Sequence, residues 1–131
     1  MTLQFSDIPN ITLGHAQDHT GLTGCTVLLT PQCAPAGVYI GGGGPASRET
    51  PLCGPFAAAP GIHALLLSGG SAFSLGAADG VMRYLRERGV GVDCGGIKVP
   101  LVCQSALFDL GIGNPEAIPT AEMAYHACLA A

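Results

Sequence analysis

The chain has 131 residues, 48% hydrophobic and only 11% charged, with a formal net charge of −4. Soluble domains carry roughly a quarter charged residues, so much of this surface is expected to be covered by further chain or another subunit. The acidic balance, with Lys98 the single lysine, argues against a nucleic-acid partner. The uncharged spans His19 to Ser47 and Thr50 to Ala78 are broken by Gly and Pro, which excludes a membrane helix.

The amino-terminal stretch MTLQFSDIPN lacks a basic region followed by an apolar one, so a cytoplasmic address is the default expectation. Ile11 to His15 reads as a strand, followed by a polar turn over Gln17 to Gly21. Cys25 to Leu29 is a second strand, closed by Thr30-Pro31. Ala36 to Ile40 is a third strand candidate, and the short Pro-containing connection suggests that these two pair antiparallel. The run Gly41 to Gly44 and the following Arg48 allow two readings. Backbone amides approach a ligand while Arg48 clamps a carboxylate, or the loop is tight and Arg48 pairs with Glu49.

The stretch from His63 to Gly89 organises the rest. Ala64 to Leu67 is a buried strand entering the hinge Ser68-Gly69-Gly70-Ser71. Beyond it Ala78, Val81, Met82 and Leu85 form one helical stripe, and Gly89 is a left-handed stop. The hinge amides are placed to hold an anion or oxyanion, or the glycines simply permit close strand-to-helix packing. The glycine spacing is neither a P-loop nor G-x-G-x-x-G, and Phe73 stands where a nucleophile elbow around Ser71 needs its second glycine.

Val90 to Gly96 is a glycine-rich connection, and Ile97 to Cys103 is an edge or irregular strand because of Pro100. In SALFDL, Asp109 is either a catalytic carboxylate or a cap or turn acceptor. Thr120 to Ala131 is a helix with Thr120 as its cap, Glu122 in the first turn, Met123, Ala127 and Ala130 on its packed face, and no stop signal. The chain reads as one partial domain without an internal boundary. The six cysteines (Cys25, Cys33, Cys53, Cys94, Cys103, Cys128) form no C-x-x-C pair and read as buried free thiols. With the four histidines they lack metal-ligand spacing, so neither metal nor cofactor is expected.

The segments TGCTVLLTP, GGGGPASRETPL, HALLLSGGSAFSLGAADGVMRYLRERGVG, ALFDLGIGNP and AEMAYHAC, in this order, resemble the amino-terminal part of the DmpA-type family. That family comprises L-aminopeptidase/D-esterase-amidases, β-peptidyl aminopeptidases and endo-type nylon-oligomer hydrolases. The resemblance implies an α+β fold, part of an αββα four-layer sandwich of the DmpA/ornithine-acetyltransferase-like type, akin to N-terminal-nucleophile hydrolases. It implies an autoprocessed precursor whose Ser or Thr nucleophile lies carboxy-terminal to Ala131, so that no residue of the chain is the nucleophile and the chain alone is inactive.

Gly69, Gly70, Ser71 and Phe73 are then expected to line the substrate cleft, with Phe108 and Asp109 near it. Some relatives carry an acid at the position of Gly76 and a tyrosine at that of Phe108. The expected partners are the carboxy-terminal subunit or remainder of the precursor, further copies in a homo-oligomer, and a small peptide or amide substrate. The alternative is a non-catalytic binding or interaction module retaining the same scaffold.

Overall fold

The computed structural model of the chain describes residues 4–131; the first three residues of the amino-terminal stretch read above lie outside them. Seven strands and two α-helices are formed among the described residues: β1 (Thr12–Asp18), β2 (Thr23–Ala34), β3 (Ser47–Arg48), β4 (Ile62–Ser68), α1 (Ala78–Glu87), β5 (Val92–Asp93), β6 (Lys98–Val99), β7 (Val102–Ala106) and α2 (Ala121–Leu129). Five strands make the main sheet in the order β1-β2-β4-β7-β3, and β5 and β6 make a separate hairpin. β1 and β2 are antiparallel, as are β2 and β4, whereas β4 and β7 run parallel. A parallel pair needs a crossover, and α1 lies on that connection.

Strand alternation sorts the side chains into two faces. Cys25, Val27, Leu29, Ala64, Leu66 and Val102 point to one face and are buried beneath α1 and α2, which pack on each other and on the sheet. The helical stripe performs as expected: Ala78, Val81 and Leu85 are buried, and Met82 packs against this core. Gly89 takes a left-handed φ of 66° just past the helix end. In α2 the buried residues are Ala124, Ala127 and Cys128, and the Thr120 hydroxyl accepts from the Met123 N–H at 3.2 Å. Ala130 does not pack: it is exposed and caps the helix end.

Three strand expectations are corrected. Ala36 to Ile40 is not a strand but an exposed arm; the partners of β2 are its sequence neighbour β1 and the more distant β4. β2 continues past Pro31 to Ala34 with a register shift after Leu29. Ile97 to Cys103 divides at Pro100 into β6 and β7, so the proline precedes β7, which sits inside the sheet between β4 and β3. There β7 makes its ladder without needing the missing proline N–H.

His63 is buried at the start of β4. Its N–H donates to the Leu101 carbonyl at 2.7 Å, and its Nδ1 accepts from the Leu101 N–H at 3.0 Å. An accepting Nδ1 requires the neutral ring protonated on Nε2. Burial accordingly pushes the imidazole pKa below its usual value.

Candidate functional site around the glycine hinge

β4 ends at Ser68 and the chain reverses through Gly69 and Gly70 into a 3-10 segment, Ser71–Ala77, that leads into α1. Gly70 and Ser71 both adopt left-handed backbone, with φ of 79° and 53°. A Cβ on Gly69 would collide with the Asp109 carboxylate and the Thr23 hydroxyl. The hinge glycines are therefore required by a turn and by a close approach.

Three independent strands of contact hold the hinge. The Gly69 N–H donates to the Gly24 carbonyl at 2.9 Å, and the Ser71 N–H donates to the Leu107 carbonyl at 2.9 Å. Asp109 accepts from the Gly70 N–H through Oδ1 at 2.6 Å and from the Thr23 hydroxyl through Oδ2 at 2.8 Å. Burial raises the Asp109 pKa, but the Gly70 and Thr23 donors outweigh it and hold the carboxyl below its usual range. Beneath the hinge, Gln104 Nε2 donates to the Ser68 hydroxyl and to the Ser74 carbonyl, each at 2.9 Å, and the Ser68 and Ser74 hydroxyls lie 2.9 Å apart.

These contacts decide several open readings. Asp109 is a loop acceptor with both oxygens occupied. The amides of Gly69, Gly70 and Ser71 all have protein acceptors, so they are not free for an anion or oxyanion. Arg48 does not pair with Glu49: it donates to Asp79 at 2.7 Å and to the Leu75 carbonyl at 3.2 Å, which ties β3 to the base of α1. Of the six cleft candidates, Gly69, Gly70, Ser71 and Asp109 meet in one hydrogen-bonded unit. Phe73 and Phe108 stand outside it, 73% and 79% exposed.

The sheet face opposite the helices has no second layer among the described residues. Register places His15, Thr26, Leu67 and Ser105 in one row across it, and Leu13, Leu28, Leu65 and Cys103 in the next. Leu67 is 47% exposed there. A cavity of about 580 Å³ opens on this face, bounded by His15, Thr26, Leu67 and the hinge residue Gly69. A second, of about 480 Å³, lies between the arm residues Val38, Tyr39 and Ile40 and the strand residues Leu65 and Cys103.

His15 Nδ1 and Thr26 Oγ1 are 2.8 Å apart, and Gln17 Nε2 and His19 Nε2 are 3.2 Å apart. Sequence reading did not pick out these pairs, nor Thr23 and Gln104. The alternation of His15 and Gln17 was a signal that these two share a face; the pairing of His15 with Thr26 on the neighbouring strand left none.

Among the described residues no helix is long and apolar enough to cross a membrane, and no cluster of three or more metal-ligating side chains is formed. Burial pushes the Cys25 thiol pKa up to about 11 and the Cys128 thiol up to about 12, as suits inert core thiols. Cys94, in contrast, is exposed.

No protein-family model matches the chain. It is similar to an uncharacterized aminopeptidase of Mycobacterium tuberculosis, with 47% identity over 110 residues that cover 82% of this chain and 31% of that protein. The corresponding uncharacterized aminopeptidase of Mycobacterium bovis gives the same figures. That of Mycobacterium leprae is 47% identical over 108 residues, covering 82% of this chain and 30% of its own length. The match thus spans less than a third of these curated relatives.

Proposed function

We propose that the chain is the amino-terminal part of an autoprocessed aminopeptidase or amidase of the DmpA type, supplying one sheet, one helical layer and a wall of the substrate cleft. The observation that carries this reading is the asymmetry of the sheet. One face is sealed by helices, while the other exposes Leu67 beside a cavity. A second sheet laid on the open face completes an αββα sandwich. The 47% identity to proteins named aminopeptidases supports the hydrolase assignment.

In this reading the nucleophile is a Ser or Thr in the portion of the relatives that the match does not span, freed as an amino terminus by self-cleavage. Its hydroxyl attacks the carbonyl of a small amino-terminal amide or ester, and its own amine or a neighbouring group takes the proton. The amine or alcohol leaves with a proton, and water then releases the acyl group. The chain's own contribution is positional. Asp109 and Thr23 fix the Gly69-Gly70 hinge, and Phe73 and Phe108 offer apolar surface beside it. The processed subunits associate as a homo-oligomer in the cytoplasm.

The test is the intact mass and amino-terminal sequence of whatever copurifies with the chain from its native host, followed by assay on p-nitroanilides of small amino acids. A second polypeptide beginning with Ser or Thr, and activity only in the complex, is the expected result. Turnover by residues 1–131 alone, abolished by Ser71→Ala, would overturn the assignment.

A further inference from the structure

Two of the six thiols meet outside the hinge. Cys53 closes a 3-10 turn, Thr50–Cys53, entered through Glu49 in left-handed conformation, and Cys103 lies on β7. Their sulfurs are 3.7 Å apart although the residues are 50 positions apart in the chain. The Cys103 thiol donates to the Glu49 carbonyl at 3.2 Å, so within the pair the Cys53 thiol is the donor and the Cys103 sulfur the acceptor.

We propose that Cys53 and Cys103 form a redox modification site, a dithiol that closes to a disulfide by exchange with a low-molecular-weight disulfide such as oxidised glutathione. A bonded pair needs sulfurs about 2.0 Å apart, so closure brings the two sulfurs together from 3.7 Å. Access sets the order of events. Cys53 is half-buried and Cys103 is 2% exposed, so the Cys53 thiolate attacks a glutathione sulfur first. This step forms a mixed disulfide and expels one glutathione thiolate. Cys103, losing its proton, then attacks the Cys53 sulfur and expels the second glutathione. Two protein thiols are oxidised and one glutathione disulfide is reduced to two glutathione molecules.

Burial and the adjoining Cys53 push the Cys103 thiol pKa up to about 12, which makes the second step the slow one. Cys53 and Cys103 both border the cavity beneath the arm, together with Thr50, Leu65 and Leu67. The disulfide therefore locks one wall of that cavity to the sheet. Cys25 and Cys128 are shielded from the oxidant, being 6% and 0% exposed within the helix-covered core, whereas Cys94 is exposed and Cys33 half-buried, so these two are open to glutathione.

The experiment is incubation of the folded full chain with an oxidising glutathione mixture, alkylation of the remaining thiols, intact mass and tryptic mapping. One linkage between the peptides 49–83 and 99–131 is expected, the linked pair being lighter by about 2 Da than the two reduced peptides, while the exposed Cys94 takes up glutathione as a mixed disulfide. That linkage persists in Cys128→Ser, disappears in the half-buried Cys53→Ser variant, and raises the Tm of the wild type. Linkage of any other pair in the folded chain, survival of the cross-link in Cys53→Ser, or cross-linking only in urea overturns the proposal.

Discussion

The two faces of the main sheet carry the same kind of residue to different ends. Leu66 and Leu67 are neighbours on β4, yet Leu66 is fully buried under the helices and Leu67 is 47% exposed. On the helix side the fit is close enough that a Cβ on Gly80 of α1 would strike the Ala121 carbonyl of α2. On the open side, leucines stand beside cavities. A face packed to backbone contact has no tolerance for added volume, whereas an uncovered face has nothing yet to lose.

The sharpest way to break the contrast is Gly80→Val, which forces the helices apart. We expect a cost of about 3 kcal/mol or more, measured by urea unfolding; a change under about 1 kcal/mol would mean that the helix crossing is loose. Leu66→Ala should follow at about 3 kcal/mol in the same assay. Leu67→Ala should cost under about 1 kcal/mol in the isolated chain. On the proposed reading, Leu67→Lys should in addition reduce association with the remainder of the precursor. Equal costs for Leu66→Ala and Leu67→Ala would show that the open face is already covered.

The hinge sharpens the comparison through pH. The Asp109 pKa is lowered in the folded chain, so its contribution is present above the unfolded aspartate value of about 3.9 and is lost as pH falls through the folded value. Asp109→Asn should therefore lose about 1–3 kcal/mol near neutrality and flatten the acid limb of a Tm against pH curve. His63 acts earlier. Its imidazole pKa is lowered by burial, so stability begins to fall below the unfolded histidine value of about 6.5, as the unfolded chain takes up a proton that the folded chain refuses. A Tm unchanged between about pH 7 and 5 would contradict the neutral His63 contact with Leu101.

Local patterns in the chain were sufficient for α1, with its Ala78, Val81 and Leu85 stripe and Gly89 stop, and for the Thr120 cap of α2. They also marked the strand ending in Ser68-Gly69-Gly70. The misreadings share one cause. An apolar run such as Ala36 to Ile40 is compatible with a strand, but only a partner at hydrogen-bonding distance makes it one. The breadth of β2 and the interior place of β7 likewise depended on neighbours far along the chain. Within the candidate site, the hinge and Asp109 were visible as turn chemistry, but the Gly70–Asp109 bond and the Thr23 hydroxyl that also holds Asp109 were not, because Thr23 and Asp109 are 86 residues apart.

Sequence alone determined the shortage of charge, a matter of composition, and the periodic faces, the capping residues and the glycine hinge, since each of these three arises from neighbours within a turn or two. Tertiary structure alone decided which amides of the hinge were spent, which carboxylate held it, which two cysteines met and which sheet face stayed open. Those outcomes rest on contacts closed over tens of residues, whose geometry no local pattern encodes.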